Sequence, residues 1–288
     1  MSATVSWRRL WDETAALHGR VHARWLCEEA SGAYGDEFLR VQDQLVTERS
    51  MAHLDAMLAR LGAGEPLQYV LGHWSFRHLD LLVDRRVLIP RPETELVADV
   101  AIGLARDMPK PIRCADLGTG SGAIGLSLLL ELPRSSAEVW LTDSSTEALD
   151  VARANAAGLG IAAAGARFSS GSWFEALPET ERGRFGLIVA NPPYIANSDP
   201  ALESAVSDWE PVEALYSGGD GLDALRTIVS GAPAWLASGG WLVLEIGTGQ
   251  GPAVRSLLDA AGGVDIQIRP DLAGHDRIAI ARFVEREG

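Results

Sequence analysis

A chain of 288 residues with 47% hydrophobic content and 22% charged residues can bury a sizeable core, and its length suits a small domain joined to a larger one. The formal charge of −14 leaves no basic face of the kind that grips phosphate backbones, which argues against nucleic acid as the main partner. No apolar run approaches the roughly 20 residues that cross a bilayer, the first residues lack a signal peptide's apolar stretch, and Cys27 and Cys114 fit no metal-ligand spacing and are expected as reduced thiols in the cytoplasm.

Residues 1–62 are expected to form a helical domain. Leu10, Ala15, Leu17 and Val21 recur at near-helical spacing, as do Phe38, Val41 and Leu45, and then Leu54, Met57, Leu58 and Leu61. Gly32, Gly35, Gly62 and Gly64 separate the segments, and Trp7, Trp11 and Trp25 read as core of a small bundle. Residues 63–90 read as a linker carrying a β-hairpin, with strands over 74–76 and 79–83 around Arg77-His78. Pro92 then suits a first helical position, and Glu93 and Glu95 suit the positive end of a helix dipole.

Within residues 91–288 strands and helices alternate from Ile112 onward, the pattern of a doubly wound, mostly parallel sheet. Strands are expected over 112–117, 138–142, 167–168, 185–190, 241–246, 264–268 and 277–283. Helices are expected over 123–130, 146–157, 221–236 and 252–261.

Two stretches carry chemistry. The first is the turn Gly118-Thr-Gly-Ser-Gly122 between a strand and a helix. Gly120-Ser-Gly-Ala-Ile-Gly125 satisfies a dinucleotide fingerprint, and with Asp143 on a ribose it would alone suggest NAD. The same turn also reads as Asp116-x-Gly-x-Gly-x-Gly122, which suits S-adenosylmethionine: the glycines admit its amino-acid part and the acid meets its ammonium. The second stretch is Asn191-Pro192-Pro193-Tyr194, at the carboxyl end of the apolar run 185–190, where open α/β sheets bind ligands. The Asn191 side-chain oxygen and the Pro192 carbonyl are two acceptors for the two hydrogens of a planar NH2, and Tyr194 adds a ring to stack on it. A nicotinamide site has no use for such a clip. Asn-Pro and Pro-Pro also occur as plain turn punctuation. The six histidines show no ligand spacing, and no metal is expected.

From Ile112 onward the chain resembles the class I (Rossmann-like) methyltransferases, and nearly all of it resembles the protein-(glutamine-N5) methyltransferases of peptide-chain release factors. The carrying stretches are 66–72 (Pro-Leu-Gln-Tyr-Val-Leu-Gly), 87–95 (Val-Leu-Ile-Pro-Arg-Pro-Glu-Thr-Glu), 116–124, Asn191-Pro-Pro-Tyr-Ile195, Trp209-Glu-Pro, 218–222 and 271–277. The resemblance implies a helical N-terminal substrate-recognition domain, a hairpin linker and a catalytic domain over 91–288. It implies methyl transfer from S-adenosylmethionine to the glutamine of a Gly-Gly-Gln loop in release factors. Asp116, Gly118, Thr119, Gly120, Gly122, Asp143, Trp173 and Asn191 are then expected at the cofactor. Asn191, Pro192, Pro193 and Tyr194 are expected at the substrate, with Asn191, Pro192 and Tyr194 catalytic. One departure stands out: Ser172 occupies the place where the family has an acid for the adenine amine, although Trp173 still supplies a ring. The expected partner is a release factor, with neither nucleic acid nor membrane, and the expected state is a monomer. The alternatives are the same chemistry on a ribosomal-protein glutamine or on an adenine amine of DNA or RNA, and a binding module without turnover.

Overall fold

The structure is a computed structural model that describes residues 5–197 and 209–285. The chain divides into two compact units, Met1–Gly72 and His73–Gly288. Residues 63–72, expected in a linker, fall in the first unit, and the hairpin falls in the second.

The first unit holds α1 (Trp7–His18), α2 (Arg20–Ser31), α3 (Asp36–Val41), α4 (Glu48–Gly62) and α5 (Leu67–Leu71). Ser6 and Thr47 supply N-cap oxygens to α1 and α4, satisfying amides that the first turn leaves unpaired. Its core gathers Leu26, Cys27, Phe38, Leu54 and Met57, with Trp7 and Trp11 set edge-on to Phe38. Three apolar residues counted in the helical spacing lie at the surface: Leu17 is 80% exposed, Val21 57% and Leu45 60%. For Val21 the reason is Gly19, whose φ of 80° ends α1 and lets α2 begin in a new phase. A periodicity counted from Leu10 to Val21 therefore crosses a break.

The second unit opens with the hairpin of β1 (His73–Phe76) and β2 (Leu79–Leu82). Then follow α6 (Pro92–Asp107), β3 (Ile112–Leu117), α7 (Ala123–Glu131), β4 (Ala137–Asp143), α8 (Thr146–Leu159), β5 (Ala166–Ser170) and β6 (Phe185–Ala190). The chain ends with α9 (Asp223–Trp235), β7 (Leu236–Glu245), α10 (Gly251–Ala260), β8 (Val264–Pro270) and β9 (Asp276–Phe283). One seven-stranded sheet runs in the order β5-β4-β3-β6-β7-β9-β8, parallel throughout except that β9 runs against both neighbours. Every residue of β6 is buried, as a strand covered on both faces demands.

From β3 the strands wind one way to β5, and from β6 the other way. The switch point lies between β3 and β6, where such sheets leave a crevice at the carboxyl ends. Leu117 pairs with Ala190, so the glycine turn and Asn191 leave the sheet side by side. The hairpin is fixed to this unit at two points. Arg77 donates twice to Glu131 (2.7 and 2.8 Å), and its backbone amide donates to Glu95 Oε1. Asn155 exchanges hydrogen bonds with both backbone groups of Leu82 and also donates to the Ser121 carbonyl at 2.8 Å. Among the described residues no helix is long and apolar enough to cross a membrane, and no group of three or more His, Cys, Asp or Glu is placed to hold a metal.

Candidate active site

A cleft of about 600 Å³ opens at the switch point. Asp116, Gly118, Thr119, Gly120, Asp143, Trp173, Asn191 and Pro193 all line it. A recess of about 180 Å³ is lined by Asn191, Pro192, Tyr194 and Arg91, so Asn191 belongs to both spaces. Gly122 does not line the cleft. It caps α7 with a φ of 88°, and a Cβ there would strike Leu126 at 2.9 Å. Ser172 is likewise absent from the lining.

The turn is shaped by two carboxylates. Asp116 closes β3 and is 1% exposed. Its Oδ2 accepts from Thr119 Oγ1 (2.6 Å) and from the Gly125 amide (2.8 Å), tying the start of the turn to α7. Burial pushes this carboxyl up to about 6, against those two bonds. Asp143 ends β4, accepting from the Gly120 amide at Oδ2 and from the Ser145 amide at Oδ1, each at 2.9 Å. Burial raises its pKa as well.

Gly118, with φ 71°, brings the turn against Trp173: a Cβ there would lie 3.3 Å from the indole. Trp173 itself holds a φ of 47°, a backbone region that costs a bulky residue about 1–3 kcal/mol and persists only where its surroundings impose it. Gly120 offers open space where a Cβ would stand. A bare backbone cradle, two carboxylates and an aromatic wall fit a nucleoside carrying an amino-acid arm. That is the outline of S-adenosylmethionine.

The clip is braced from beneath. Asn191 Nδ2 donates to Thr94 Oγ1 (3.2 Å), and Thr94 Oγ1 donates to Glu245 Oε2 (2.7 Å). The Tyr194 hydroxyl donates to Glu245 Oε1 (3.2 Å), and burial beside that carboxylate holds its proton on. Gln250 Nε2 donates to the Tyr194 carbonyl at 3.0 Å, while its Oε1 accepts from the Gly247 amide at 2.8 Å. Among the described residues nothing donates to Asn191 Oδ1 or to the Pro192 carbonyl. Those are the two acceptors the sequence marks.

Arg91 pairs with Glu210, a buried carboxylate that also accepts from the Ile89 amide. Arg85 stacks over Trp209 at 4.1 Å. These contacts hold residues 209–210 against the stretch before α6, at the rim of the cleft.

Sequence reasoning misses Thr94, Glu210, Glu245 and Gln250. For Glu245 a signal exists, since a lone acid closes an otherwise apolar strand over 241–246. Its carboxyl is 1% exposed, and burial pushes it up to about 7. This pKa lies above the 4.5 of a free glutamate, so the stability it carries is complete below about 4.5 and is lost as pH rises through about 7. Glu245→Gln, which stays neutral, is expected to remove pH dependence on the order of 3 kcal/mol across that window. Urea melts at a series of pH values check this, and an unchanged slope in the variant contradicts it.

Comparison with known proteins places the chain among close relatives. Residues 101–208 match the Methyltransferase small domain, and residues 15–72 match the PrmC N-terminal domain. A release factor glutamine methyltransferase of Xylella fastidiosa (strain Temecula1) is 47% identical over 227 residues, covering 79% of this chain and 80% of that protein. One of Neisseria gonorrhoeae is 41% identical over 271 residues, covering 92% and 94%. In three dimensions the chain resembles a methyltransferase of Pyrococcus furiosus, with a TM-score of 0.53 at 14% identity over 79% of this chain and 98% of that one, a likeness of fold.

Proposed function

We propose, because this chain belongs to the release factor glutamine methyltransferase family, that it moves a methyl group from S-adenosylmethionine to the side-chain amide nitrogen of a glutamine in a peptide-chain release factor. The observation that carries this reading is a pair of acceptors without a donor among the described residues: Asn191 Oδ1, where cleft and recess meet, and the Pro192 carbonyl in the recess.

When bound, S-adenosylmethionine supplies a methyl group on a positively charged sulfur. The chain's own task is to present a lone pair to it. An amide nitrogen is a weak nucleophile because its lone pair is shared with the carbonyl. Asn191 Oδ1 and the Pro192 carbonyl accept its two hydrogens and fix its direction. Orientation of this kind contributes roughly 7–11 kcal/mol in well-aligned cases. The same oxygens stabilise positive charge developing on the nitrogen. The methylated amide sheds its proton to water, so no histidine or carboxylate is needed beside it. Tyr194 packs against the planar amide in the recess. Asp143 would hold the ribose hydroxyls, Asp116 the amino-acid end and Trp173 the adenine. Ser172 leaves the adenine amine without the acid other members have.

The target is the glutamine of a Gly-Gly-Gln loop, whose glycines let the side chain reach a recess this narrow. The helical unit grips the body of the factor, so a whole factor is used faster than a loop peptide. The test is a release factor with that glutamine replaced by glutamate. A carboxylate offers no N–H to either acceptor, and sites built to hydrogen-bond a donor reject such analogues by about 10⁴-fold or more. Label from the cofactor is expected on the natural factor and not on the glutamate form. Equal labelling of both sinks the assignment.

A further inference from the structure

We propose that Thr94 and Glu245 are positioning residues for this reaction: the buried carboxylate fixes the one hydroxyl hydrogen of Thr94, and that hydroxyl decides which end of the Asn191 amide faces the substrate. The proposal rests on the reading of Asn191 as the amide's acceptor.

The argument is one of hydrogen counting. Leu244 pairs with Ala190, so Glu245 and Asn191 leave neighbouring strands at the same level. Thr94 enters from the first turn of α6 and is 3% exposed. Its hydroxyl has one hydrogen and two lone pairs, whereas the Glu245 carboxylate, ionised once the pH is above the value of about 7 to which burial pushes it, only accepts. At 2.7 Å the hydrogen is committed to Glu245 Oε2. Toward Asn191 the hydroxyl can then only accept, so the 3.2 Å contact must come from Nδ2. Oδ1 is thereby turned away from Thr94. A flipped amide would set Oδ1 against a hydroxyl lone pair and aim Nδ2, a donor, at the donors of the substrate. Both faults disfavour it, so the chain Glu245–Thr94–Asn191 leaves one orientation.

The other carboxylate oxygen accepts from Tyr194 at 3.2 Å, which attaches both ends of the clip to one group. Glu245 lines neither the cleft nor the recess. With both oxygens occupied it does not reach the reacting nitrogen, and it acts through Thr94 and Tyr194.

The test is a double-mutant cycle with steady-state kinetics on a full-length release factor, run at a pH above that at which Glu245 ionises. T94V removes the hydroxyl and is expected to lower kcat on the order of tenfold, the worth of one buried hydrogen bond. KM for the factor and cofactor affinity should stay within about twofold. T94S restores the hydroxyl and should return most of kcat. Without Asn191 there is no amide to orient, so T94V should change the N191A enzyme by less than about twofold, because coupled residues are not additive. E245L, which deprives both Thr94 and Tyr194 of their acceptor, should lower kcat, and combined with T94V it should cost less than the product of the two separate losses. The inference is overturned if T94V costs the same factor with and without Asn191, if T94S is no better than T94V, or if E245L and T94V are additive. N191A retaining near-normal turnover would instead sink the reading of Asn191 itself, which keeps the two failures distinct.

Discussion

Asn191→Ala is expected to lower kcat for release-factor methylation by roughly 10²–10³-fold, the cost of removing one preorganised group that acts on developing charge. The expectation follows from geometry. Asn191 follows a fully buried strand, its Nδ2 is held by Thr94, and its Oδ1 has no donor among the described residues. Alanine leaves the Pro192 carbonyl as a lone acceptor, so one amide hydrogen is unpaired and the nitrogen can turn away from the methyl. Asn191 also lines the cofactor cleft, but Asp116, Asp143, the glycine turn and Trp173 remain, so cofactor affinity should fall by only a few fold. The kinetic signature is a drop in kcat with binding preserved. Equal loss of both would make Asn191 a structural residue of the cleft, and near-normal turnover would reduce the clip to a turn.

Asp143→Ala should act the other way, raising the dissociation constant of S-adenosylmethionine by on the order of 10²-fold with a smaller change in kcat at saturating cofactor. Hydrogen bonds to a charged acceptor are each worth about 1.5–3 kcal/mol. Asp143 makes two to the chain already, to the Gly120 and Ser145 amides, and those hold the turn in shape before the ribose arrives. The variant therefore loses ligand contacts and preorganisation together. Titration calorimetry with the cofactor and with its demethylated product reads the effect directly. Unchanged affinity for both would remove Asp143 from the site.

The catalytic unit was legible for a local reason. Its strands are buried on both faces, so 112–117, 185–190 and 241–246 read as apolar runs, and the ligand-bearing turns sit at their ends. The early start of β7 at Leu236 was not legible, because Leu-Ala-Ser-Gly-Gly reads as a turn. In the fold it pairs with Phe185 across an irregularity in the register. The first unit misled the periodicity where Gly19 reset the helical phase. Gly122 looked like the other glycines of its motif, yet its positive φ serves the start of α7 rather than the cleft.

Thr94 and Glu245 were hidden for a different reason. They are 151 residues apart, and only the meeting of α6 with the end of β7 gives either one a partner at the clip. Local pattern marks the groups that face a ligand. The groups that aim them are set by tertiary contact. Arg91, Glu95 and Glu210 illustrate the same point, since each charge is accounted for by a neighbour distant in sequence.

The most direct measurement is tandem mass spectrometry of a full-length release factor after incubation with this enzyme and isotope-labelled S-adenosylmethionine. One labelled methyl group is predicted on the side-chain nitrogen of the glutamine in the Gly-Gly-Gln loop, and none when the enzyme carries Asn191→Ala. Label on a ribosomal protein or on nucleic acid, with the release-factor glutamine unmodified, would contradict the account.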